Sequence, residues 1–331
     1  MPLRIGPYEL KSRLLLAPMA GITDKPYRDI CRHFGAGLTS SEMISSDLSL
    51  LKTKKTQNRL LDLSEPEPRS VQILGTEPKV MAEAAQFYEN IGANIIDINM
   101  GCPAKKVCSK AAGSALMKDP KLVREILTHV VNTVKIPVTL KIRVGWDNQH
   151  RNAIEIAKIA EDCGISSLAI HGRSRTQAYS GFAEFETIRR VKQMVDIPVI
   201  ANGDISNIED AKFILEYTQA DGLMLARITR GQPWIFEEIN QGLSNNANNL
   251  IPIQLDIKKK TILKHLHAIH CFYEEKQSVR IARKHIGWYL SSLLGENKNL
   301  IKALRHELFS ISESNKQYLL LNKVLDRIIT D

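Results

Sequence analysis

The sequence contains little that suits a membrane or an oxidising compartment. None of its apolar runs reaches the roughly 18 residues that a membrane-spanning helix needs. The N-terminal residues lack the charged and then apolar layout of a secretory signal, so we expect a cytoplasmic protein that makes no membrane contact. Only five of the 331 residues are cysteines, and in the cytoplasm these are expected to be free thiols.

Two common site patterns are missing as well. Cys102 and Cys108 have no histidine at a zinc-binding spacing, so we expect no metal site. The Gly-Ala-Gly run at residues 35–37 precedes a strand and lacks the third glycine of a dinucleotide-binding fingerprint. The sequence therefore contains no dinucleotide-binding fingerprint at this position.

Positive charge is in excess and is unevenly distributed. The formal net charge is +9, and residues 251–331 hold 14 Lys and Arg against 8 Asp and Glu. A basic segment of this kind is typical of a surface that faces nucleic acid.

Between residues 13 and 227, short apolar segments alternate with segments of helical periodicity. Such strands are typical of a parallel sheet that is buried on both faces. The predicted strands are 14–18, 38–42, 71–74, 95–99, 138–142, 167–171, 198–201 and 222–226. Eight βα units predict an α/β fold, the (β/α)8 TIM barrel, whereas a doubly wound open sheet needs only about five or six strands.

The C-terminal quarter differs in character. Residues 241–252 are rich in Asn and resemble a linker, and the segments beyond them have helical periodicity without strand signals. We predict a catalytic barrel over residues 1–243 and a small all-α domain over residues 251–331.

The residues at or just past the predicted strand ends are mostly polar. In sequence order they are Met19, Glu42, Gln72, Asn99, Lys141, His171, Asn202 and Arg227. The interior of a TIM barrel favours Val, Ile and Leu, and its active site lies at the carboxyl ends of the strands. A strand that runs into a polar loop readily accounts for one such residue, but it accounts poorly for polar residues at nearly every strand end. We call these eight residues the polar ring.

The ring has side chains that suit a flavin. Lys141 could stabilise negative charge on a reduced ring, and Gln or Asn could bond to its amide-like edge. The loops after the last two strands usually hold a phosphate, and here they contain Gly203 and Arg227. Glycine lets backbone N–H groups approach an anion, and the guanidinium offers paired donors.

Cys102 follows the fourth predicted strand, between Gly101 and Pro103. The Gly and Pro fix the backbone and present the thiol over the barrel mouth. An ordinary cysteine has a pKa of about 8.5, so a thiol here can donate a proton at neutral pH. Cys31 and Cys163 lie within or at the ends of helical segments, where a structural role is the better interpretation.

Several segments together resemble the tRNA-dihydrouridine synthases, and within them the bacterial B subfamily. The matching segments are 17–24 (APMAGITD), 41–43 (SEM), 97–107 (DINMGCPAKKV), 141–143 (KIR), 170–173 (IHGR), 200–205 (IANGDI), 233–236 (PWIF), 280–285 (RIARKH) and 288–290 (WYL). The resemblance covers nearly the whole chain, and the Met-Gly-Cys-Pro-Ala run is highly specific.

This resemblance implies a flavoenzyme that acts on tRNA. NADPH would reduce FMN, and the flavin would reduce the 5,6 double bond of a D-loop uridine, with Cys102 as the proton donor. The implied FMN-binding residues are Pro18, Met19, Ala20, Gln72, Lys141, His171, Asn202, Gly203, Asp204, Ala226 and Arg227. The family usually has Gly where this chain has Ala226, and the extra methyl group restricts the backbone without removing a donor.

The candidates for contact with tRNA are basic residues near Cys102 and on the tail, with one amide. They are Asn99, Lys105, Lys106, Arg143, Arg173, Arg175, Arg280, Arg283 and Lys284. No obligate protein partner is evident. Two rival functions stay open: an FMN barrel that reduces a free pyrimidine or a similar metabolite, and a non-catalytic RNA-binding protein.

Overall fold

The computed structural model describes residues 2–244 and 251–330, which form two compact units. The first unit contains the residues up to 28 and residues 35–226, and the second contains residues 29–34 and those from 227 onward. Within the described parts of the chain, no helix is both long and apolar enough to cross a membrane.

The strands are short, and all but the first two belong to one parallel sheet. Their bounds are β1 Arg4–Ile5, β2 Tyr8–Glu9, β3 Leu14–Leu16, β4 Leu38–Thr39, β5 Ile44–Ser45, β6 Ser70–Leu74, β7 Ile95–Met100, β8 Val138–Arg143, β9 Ser167–His171, β10 Val199–Asn202 and β11 Gly222–Leu225. The order within the sheet is β4-β3-β11-β10-β9-β8-β7-β6-β5.

The sheet closes into a barrel. β4 and β5 lie on one run of chain, and between them Ser40 forms a parallel bridge to Ser70, the first residue of β6. The nine segments therefore occupy eight positions around a ring, and the predicted (β/α)8 TIM barrel is confirmed.

The helices follow the strands as the alternating pattern predicts. Their bounds are α1 Lys25–His33, α2 Lys54–Gln57, α3 Pro78–Asn90, α4 Lys105–Cys108, α5 Pro120–Thr133, α6 Ala153–Asp162, α7 Glu186–Lys192, α8 Ile208–Thr218, α9 Ile235–Leu243, α10 Leu255–Phe272, α11 Glu275–Leu294, α12 Lys298–Ser310 and α13 Ser314–Thr330. Three short 3-10 helices cover Leu48–Lys52, Gly113–Lys118 and Arg227–Thr229.

Local sequence explains where several helices begin and end. The Asp119 side chain accepts a hydrogen bond from the Leu122 N–H and so caps α5 at its N-terminus. Gly92 and Gly164, with φ of 102° and 86°, follow α3 and α6 in the left-handed conformation that glycine adopts without strain.

The strand prediction was least accurate at the second strand, predicted over residues 38–42. In the structure β4 ends at Thr39 and β5 begins only at Ile44, because the hydroxyl group of Ser41 takes part in the ladder between them. It accepts a hydrogen bond from the backbone N–H of Gln72 at 3.0 Å and donates one to the Glu42 carbonyl at 3.0 Å. A side chain that replaces a backbone acceptor interrupts the strand without opening the barrel.

The N-terminal hairpin, β1 and β2, contributes to the apolar core of the barrel. Leu3, Ile5 and Leu10 are buried in one cluster with residues from the strands, including Ile95 and Ile200. The hairpin therefore joins the sheet by packing rather than by extending its hydrogen-bond ladder.

In the second unit, α10 packs against α11 and α13, and α11 also contacts α12. This helical region agrees with the fold class predicted for the tail. The domain bounds 1–243 and 251–331 remain a prediction, and residues 245–250 of the predicted linker lie outside the described residues.

One buried ion pair holds the segment that follows β3. Arg28 donates from Nε to Glu65 Oε2 at 3.0 Å and also pairs with the other carboxylate oxygen. Its Nη1 donates to the carbonyl of Thr23 at 2.8 Å. Both charged side chains are nearly inaccessible to solvent, so α1 and the end of the β3–α1 loop are tied to the segment that precedes β6.

Replacing Glu65 by Ala should leave the Arg28 guanidinium buried without a counter-charge, which costs about 3–5 kcal/mol. We expect the free energy of unfolding to fall by that amount in urea denaturation followed by circular dichroism. Glu9→Ala, which removes the exposed partner of Arg4, is the control and should cost less than about 1 kcal/mol. Equal losses in the two variants would contradict the importance of the buried pair.

Candidate functional site

The register of the parallel strands brings several members of the predicted polar ring together. Asn99 on β7 lies opposite Lys141 on β8, and His171 on β9 lies opposite Asn202 on β10. These residues are at or near the carboxyl ends of adjacent strands. From β7 to β10, the predicted polar ring therefore forms one continuous surface.

Asn202 joins two of the ring members. Its Oδ1 accepts hydrogen bonds from Lys141 Nζ at 3.0 Å and from His171 Nδ1 at 2.9 Å. Its Nδ2 donates to the carbonyl of Met224 at 2.7 Å, which fixes the orientation of the amide. His171 therefore carries its proton on Nδ1, and its buried Nε2 has no partner among the described residues.

Burial shifts the protonation equilibria of His171 and Lys141. It lowers the pKa of His171 to about 3, with a further contribution from the positive charge of Lys141, so this imidazole is neutral at physiological pH. Burial likewise lowers the pKa of Lys141 to about 8. Arg143 lowers it further, and Asp97 opposes the shift. The site thus holds a neutral imidazole beside an ammonium group that is poised near neutral pH.

A second network lies on the adjacent strands. Gln72 donates from Nε2 to Asp97 Oδ2 at 2.6 Å, and Thr139 donates to Asp97 Oδ1 at 2.7 Å. Asn99 donates from Nδ2 to Gln72 Oε1 at 2.8 Å. Burial raises the pKa of Asp97, while the bonds from Thr139 and Gln72 act in the opposite direction. This network fixes the side chains of Gln72 and Asn99.

Sequence reasoning did not single out Asp97 or Thr139 as members of the site. Asp97 is two residues before Asn99 and so points to the same side of β7. A carboxylate within an otherwise apolar strand was the available signal. The contact with Thr139 depends on the register of β7 against β8, which a single sequence does not reveal.

We call residues 101–112 the Cys102 loop. Within it, hydrogen bonds hold both the N–H and the carbonyl of Cys102. Asn99 Oδ1 accepts from the N–H of Cys102 at 3.0 Å. Ser114 donates to the carbonyl of Cys102 from Oγ at 2.9 Å and from its N–H at 3.2 Å, and Cys108 Sγ lies 3.5 Å from the same oxygen. The thiol therefore sits on a fixed peptide at the end of β7.

Burial raises the pKa of the Cys102 thiol above its ordinary value, although the N–H of Ala104 partly opposes this. A thiol in this state retains its proton at neutral pH. It is better suited to donate a proton than to attack as a thiolate, which agrees with the role that the sequence suggests.

Two of the arginines predicted to contact substrate hold the loops in place. Arg143 donates from Nε to Gly101 O at 2.8 Å, and from Nη1 to Ser174 O at 3.0 Å and Ala178 O at 2.9 Å. Burial lowers the pKa of Arg143 to about 10, so it stays charged at neutral pH.

Arg173 is similarly engaged. It forms an ion pair with Asp204 at 2.6 Å and donates from Nη2 to the carbonyl of Gly181 at 2.7 Å. Arg175 is half-buried, and its guanidinium carbon lies 4.6 Å from the centre of the Trp146 ring. The part of these arginines in binding a substrate stays a prediction.

In the loop after β10, the backbone at Gly203 lies too close to Ala183 for a residue with a side chain. Gly203 has φ of 138°, and a Cβ at this position would lie 2.7 Å from Ala183 Cβ. Asp204, with φ of 38°, accepts the N–H of Ala183 at 2.7 Å. Glycine is therefore required here for both space and conformation.

The loop after β3 forms another part of the rim. The backbone N–H of Gly21 donates to Glu42 Oε2 at 2.5 Å, and Arg59 pairs with the same carboxylate at 2.7 Å. Met19 is half-buried; its carbonyl and N–H are both bonded to Thr23. Glu42, which belongs to the predicted ring, thus supports the loop that carries Met19.

The remaining predicted residues lie outside the hydrogen-bond networks described above. Two of them, Ala226 and Arg227, belong to different units. Pro18 is half-buried and Ala20 is exposed on the β3–α1 loop, and Lys105 and Lys106 are exposed on α4. Ala226 ends the first unit, whereas Arg227 begins the 3-10 helix of the second. The roles assigned to these residues stay predictions.

On α11 of the second unit, the three predicted tail residues differ in exposure. Arg280 is exposed, whereas Lys284 is half-buried. Arg283 is half-buried and donates from Nη2 to the carbonyl of Ile311 at 3.1 Å. Arg283 therefore has a structural contact of its own, and its predicted part in RNA binding is untested.

Comparison with known proteins shows what the chain is similar to. The family described as "Dihydrouridine synthase (Dus)" matches residues 15–329. The chain is 54% identical over 292 residues to tRNA-dihydrouridine synthase B of Pseudomonas syringae pv. tomato, which covers 88% of this chain and 86% of that protein. It is 49% identical over 327 residues to the protein of the same name from Shewanella oneidensis, covering 99% of each.

Two solved structures share the fold at low identity. A histamine dehydrogenase from Rhizobium sp. 4-9 has a TM-score of 0.54 at 12% identity, with 80% of this chain and 50% of that chain covered. A 2-naphthoyl-CoA reductase in complex with 2-naphthoyl-CoA has a TM-score of 0.57 at 14% identity, with 76% and 52% covered. The chain thus spans about half the length of each of these two structures.

The raised pKa of Cys102 predicts slow alkylation near neutral pH, because iodoacetamide reacts with the thiolate. We expect exposed Cys271 to be modified faster than Cys102 near neutral pH, and the rate at Cys102 to increase as the solution is made alkaline. Timed quenching and peptide mass spectrometry would measure both rates. Rapid modification of Cys102 at neutral pH would contradict the protonated state.

Proposed function

The chain belongs to the dihydrouridine synthase family, and we propose on that basis that it is an oxidoreductase that reduces a uridine of tRNA to dihydrouridine. The substrate bond is the 5,6 double bond of a uridine in the D-loop. The observation that best supports this proposal is that Asn99 and Ser114 fix the peptide of Cys102 at the end of β7, the strand next to the one that carries Lys141.

We propose FMN as the cofactor and NADPH as its reductant. Three features of the site fit a flavin: the buried His171 Nε2, to which no described residue is bonded, the Lys141 ammonium group, and the close approach at Gly203. When bound, the reduced flavin supplies the hydride that adds to carbon 6 of the uracil. The proposed FMN-binding residues are Pro18, Met19, Ala20, Gln72, Lys141, His171, Asn202, Gly203, Asp204, Ala226 and Arg227.

The side chains of the chain provide the proton and the local charge. Cys102 holds its proton at neutral pH because it is buried, and it would donate this proton to carbon 5 of the uracil. Lys141 would stabilise negative charge on the bound cofactor, and Asn202 holds its ammonium group in position. His171 stays neutral and offers Nε2 as a hydrogen-bond acceptor.

Binding of tRNA requires contacts to phosphates and an unstacked target base. Lys105 and Lys106 lie three and four residues after Cys102 and are exposed, which suits contacts to the backbone of the same nucleotides. We propose that Arg280 and Lys284 on α11 add phosphate contacts. Arg283 would assist by holding the chain at Ile311.

Replacing Cys102 by Ala should slow the reduction of tRNA by about 10²- to 10⁴-fold, because a positioned general acid contributes that much. Single-turnover reoxidation of the reduced flavin by unmodified tRNA would measure this step, and absorbance would show whether FMN remains bound. Cys163→Ala, which removes a thiol at the end of α6, is the control and should react as the wild type does.

Two results would contradict the proposal. An undiminished rate in Cys102→Ala would exclude this thiol as the acid. Reduction of free uridine as readily as of tRNA would favour the alternative, a flavin barrel that acts on a free pyrimidine.

The affinity for FMN should depend on pH through Lys141, whose pKa is lowered to about 8. The ammonium group is present below that pH and is lost as the pH rises through it, so binding should weaken above about pH 8. Quenching of flavin fluorescence between about pH 6 and 9.5 would measure the dissociation constant. Lys141→Met should bind weakly throughout, without this dependence. A wild-type affinity that is constant up to about pH 9.5 would contradict the role of Lys141.

A further inference from the structure

Phe182 is the most exposed large apolar side chain in the described part of the sequence, with 89% of its surface accessible. It lies in the β9–α7 loop (residues 172–185), at the carboxyl end of the barrel strands. Tyr179, three residues earlier, is 58% exposed, and its ring centre lies 5.7 Å from the guanidinium carbon of Arg143. This rim loop therefore presents two aromatic rings to solvent.

The backbone on both sides of Phe182 is fixed by charged side chains. Arg173 donates to the carbonyls of Ser180 and Gly181, at 3.3 Å and 2.7 Å. On the other side, the N–H of Ala183 donates to Asp204 at 2.7 Å. Because the loop is already ordered, a ligand that contacts the Phe182 ring loses little free energy to ordering the chain.

The same loop is connected to the Cys102 loop through one guanidinium group. Arg143 bonds to the carbonyl of Gly101, immediately before Cys102, and to the carbonyls of Ser174 and Ala178 in the β9–α7 loop. The loop that carries Phe182 is therefore anchored to the peptide next to Cys102, and a group bound against Phe182 would lie at the same rim of the barrel as the proposed site of uridine reduction.

The chemistry of the surroundings favours a nucleobase as the ligand of this ring. A uridine that enters a barrel must leave its stack, and its neighbours in the tRNA loop are then unpaired. Unpaired bases stack on aromatic side chains, largely irrespective of their identity. Exposed Lys105, Lys106 and Lys110 on the Cys102 loop supply positive charge for the phosphates.

We propose that Phe182 is a stacking residue for an unpaired nucleobase adjacent to the uridine that is reduced. This inference rests on the proposed function, because the base belongs to the tRNA substrate. It gives Phe182 a role in binding the substrate and no role in the transfer of hydride or proton.

Phe182→Ala should weaken the binding of unmodified tRNA to the holoenzyme by about 5- to 150-fold, the range that corresponds to the loss of one stacked base. KM for tRNA should rise while kcat at saturating tRNA stays unchanged, because the contact is equal in the ground and transition states. The slope of log Kd against log salt concentration should also be unchanged, since no phosphate contact is removed. Filter binding and dihydrouridine formation would give these values.

Matched variants separate stacking from other effects of the substitution. Phe182→Tyr keeps the ring and should bind tRNA as the wild type does, whereas Phe182→Leu keeps only apolar bulk and should resemble Phe182→Ala. Phe213→Ala removes a second exposed phenylalanine, 58% accessible and on α8, and should have no effect. Thermal denaturation of each variant would confirm that the fold is retained.

The outcomes distinguish this inference from the proposed function. If the wild type forms dihydrouridine and Phe182→Ala binds tRNA as tightly as Phe213→Ala does, the stacking role is wrong and the function stands. An equal loss in Phe182→Tyr and Phe182→Ala would also overturn stacking. If the wild type binds tRNA but reduces no uridine, the proposed function fails, and a loss of binding confined to Phe182→Ala and Phe182→Leu would still support the stacking contact.

Discussion

The amide of Asn202 is the constraint on which the rest of the site depends. Its Nδ2 is committed to the Met224 carbonyl, so its Oδ1 must face Lys141 and His171 and accept a hydrogen bond from each. An amide that is fixed at one end orients the side chains of Lys141 and His171 at the other. This arrangement requires four adjacent parallel strands, β8 to β11, in one register.

Burial at the mouth of the barrel acts on several groups in a single direction. It raises the pKa of Cys102 and Asp97 and lowers the pKa of Lys141 and His171, in each case favouring the uncharged form. The result is a protonated thiol, a neutral imidazole and a lysine that titrates near pH 8. One buried environment thus favours a protonated thiol at Cys102 and leaves Lys141 with a charge that depends on pH.

The sequence was sufficient to predict the barrel strands other than the second, because short apolar runs between helical segments are distinctive of a parallel barrel. It did not predict the hairpin of β1 and β2. The sequence also predicted that a set of polar side chains would be neighbours, since the carboxyl ends of parallel strands meet at one rim. These residues are Gln72, Asn99, Lys141, His171 and Asn202. Contacts that depend on register or on loop geometry were not predictable. They are the hydrogen bonds from Gln72 and Thr139 to Asp97, the pair Arg28–Glu65, and the loop contacts of Arg143 and Arg173.

Arginine and lysine side chains differ in the groups that they can contact because their geometries differ. A planar guanidinium with five donors can bridge several carbonyl groups, as Arg143 and Arg173 do, whereas a flexible ammonium group suits a phosphate that varies in position. Arg143 and Arg173 would then act on tRNA mainly through the loops that they hold, and exposed Lys105 and Lys106 would supply the contacts that salt weakens. With such contacts, the affinity for tRNA would depend on ionic strength while the position of the substrate base would not, because the loops beside Cys102 are fixed by hydrogen bonds within the protein.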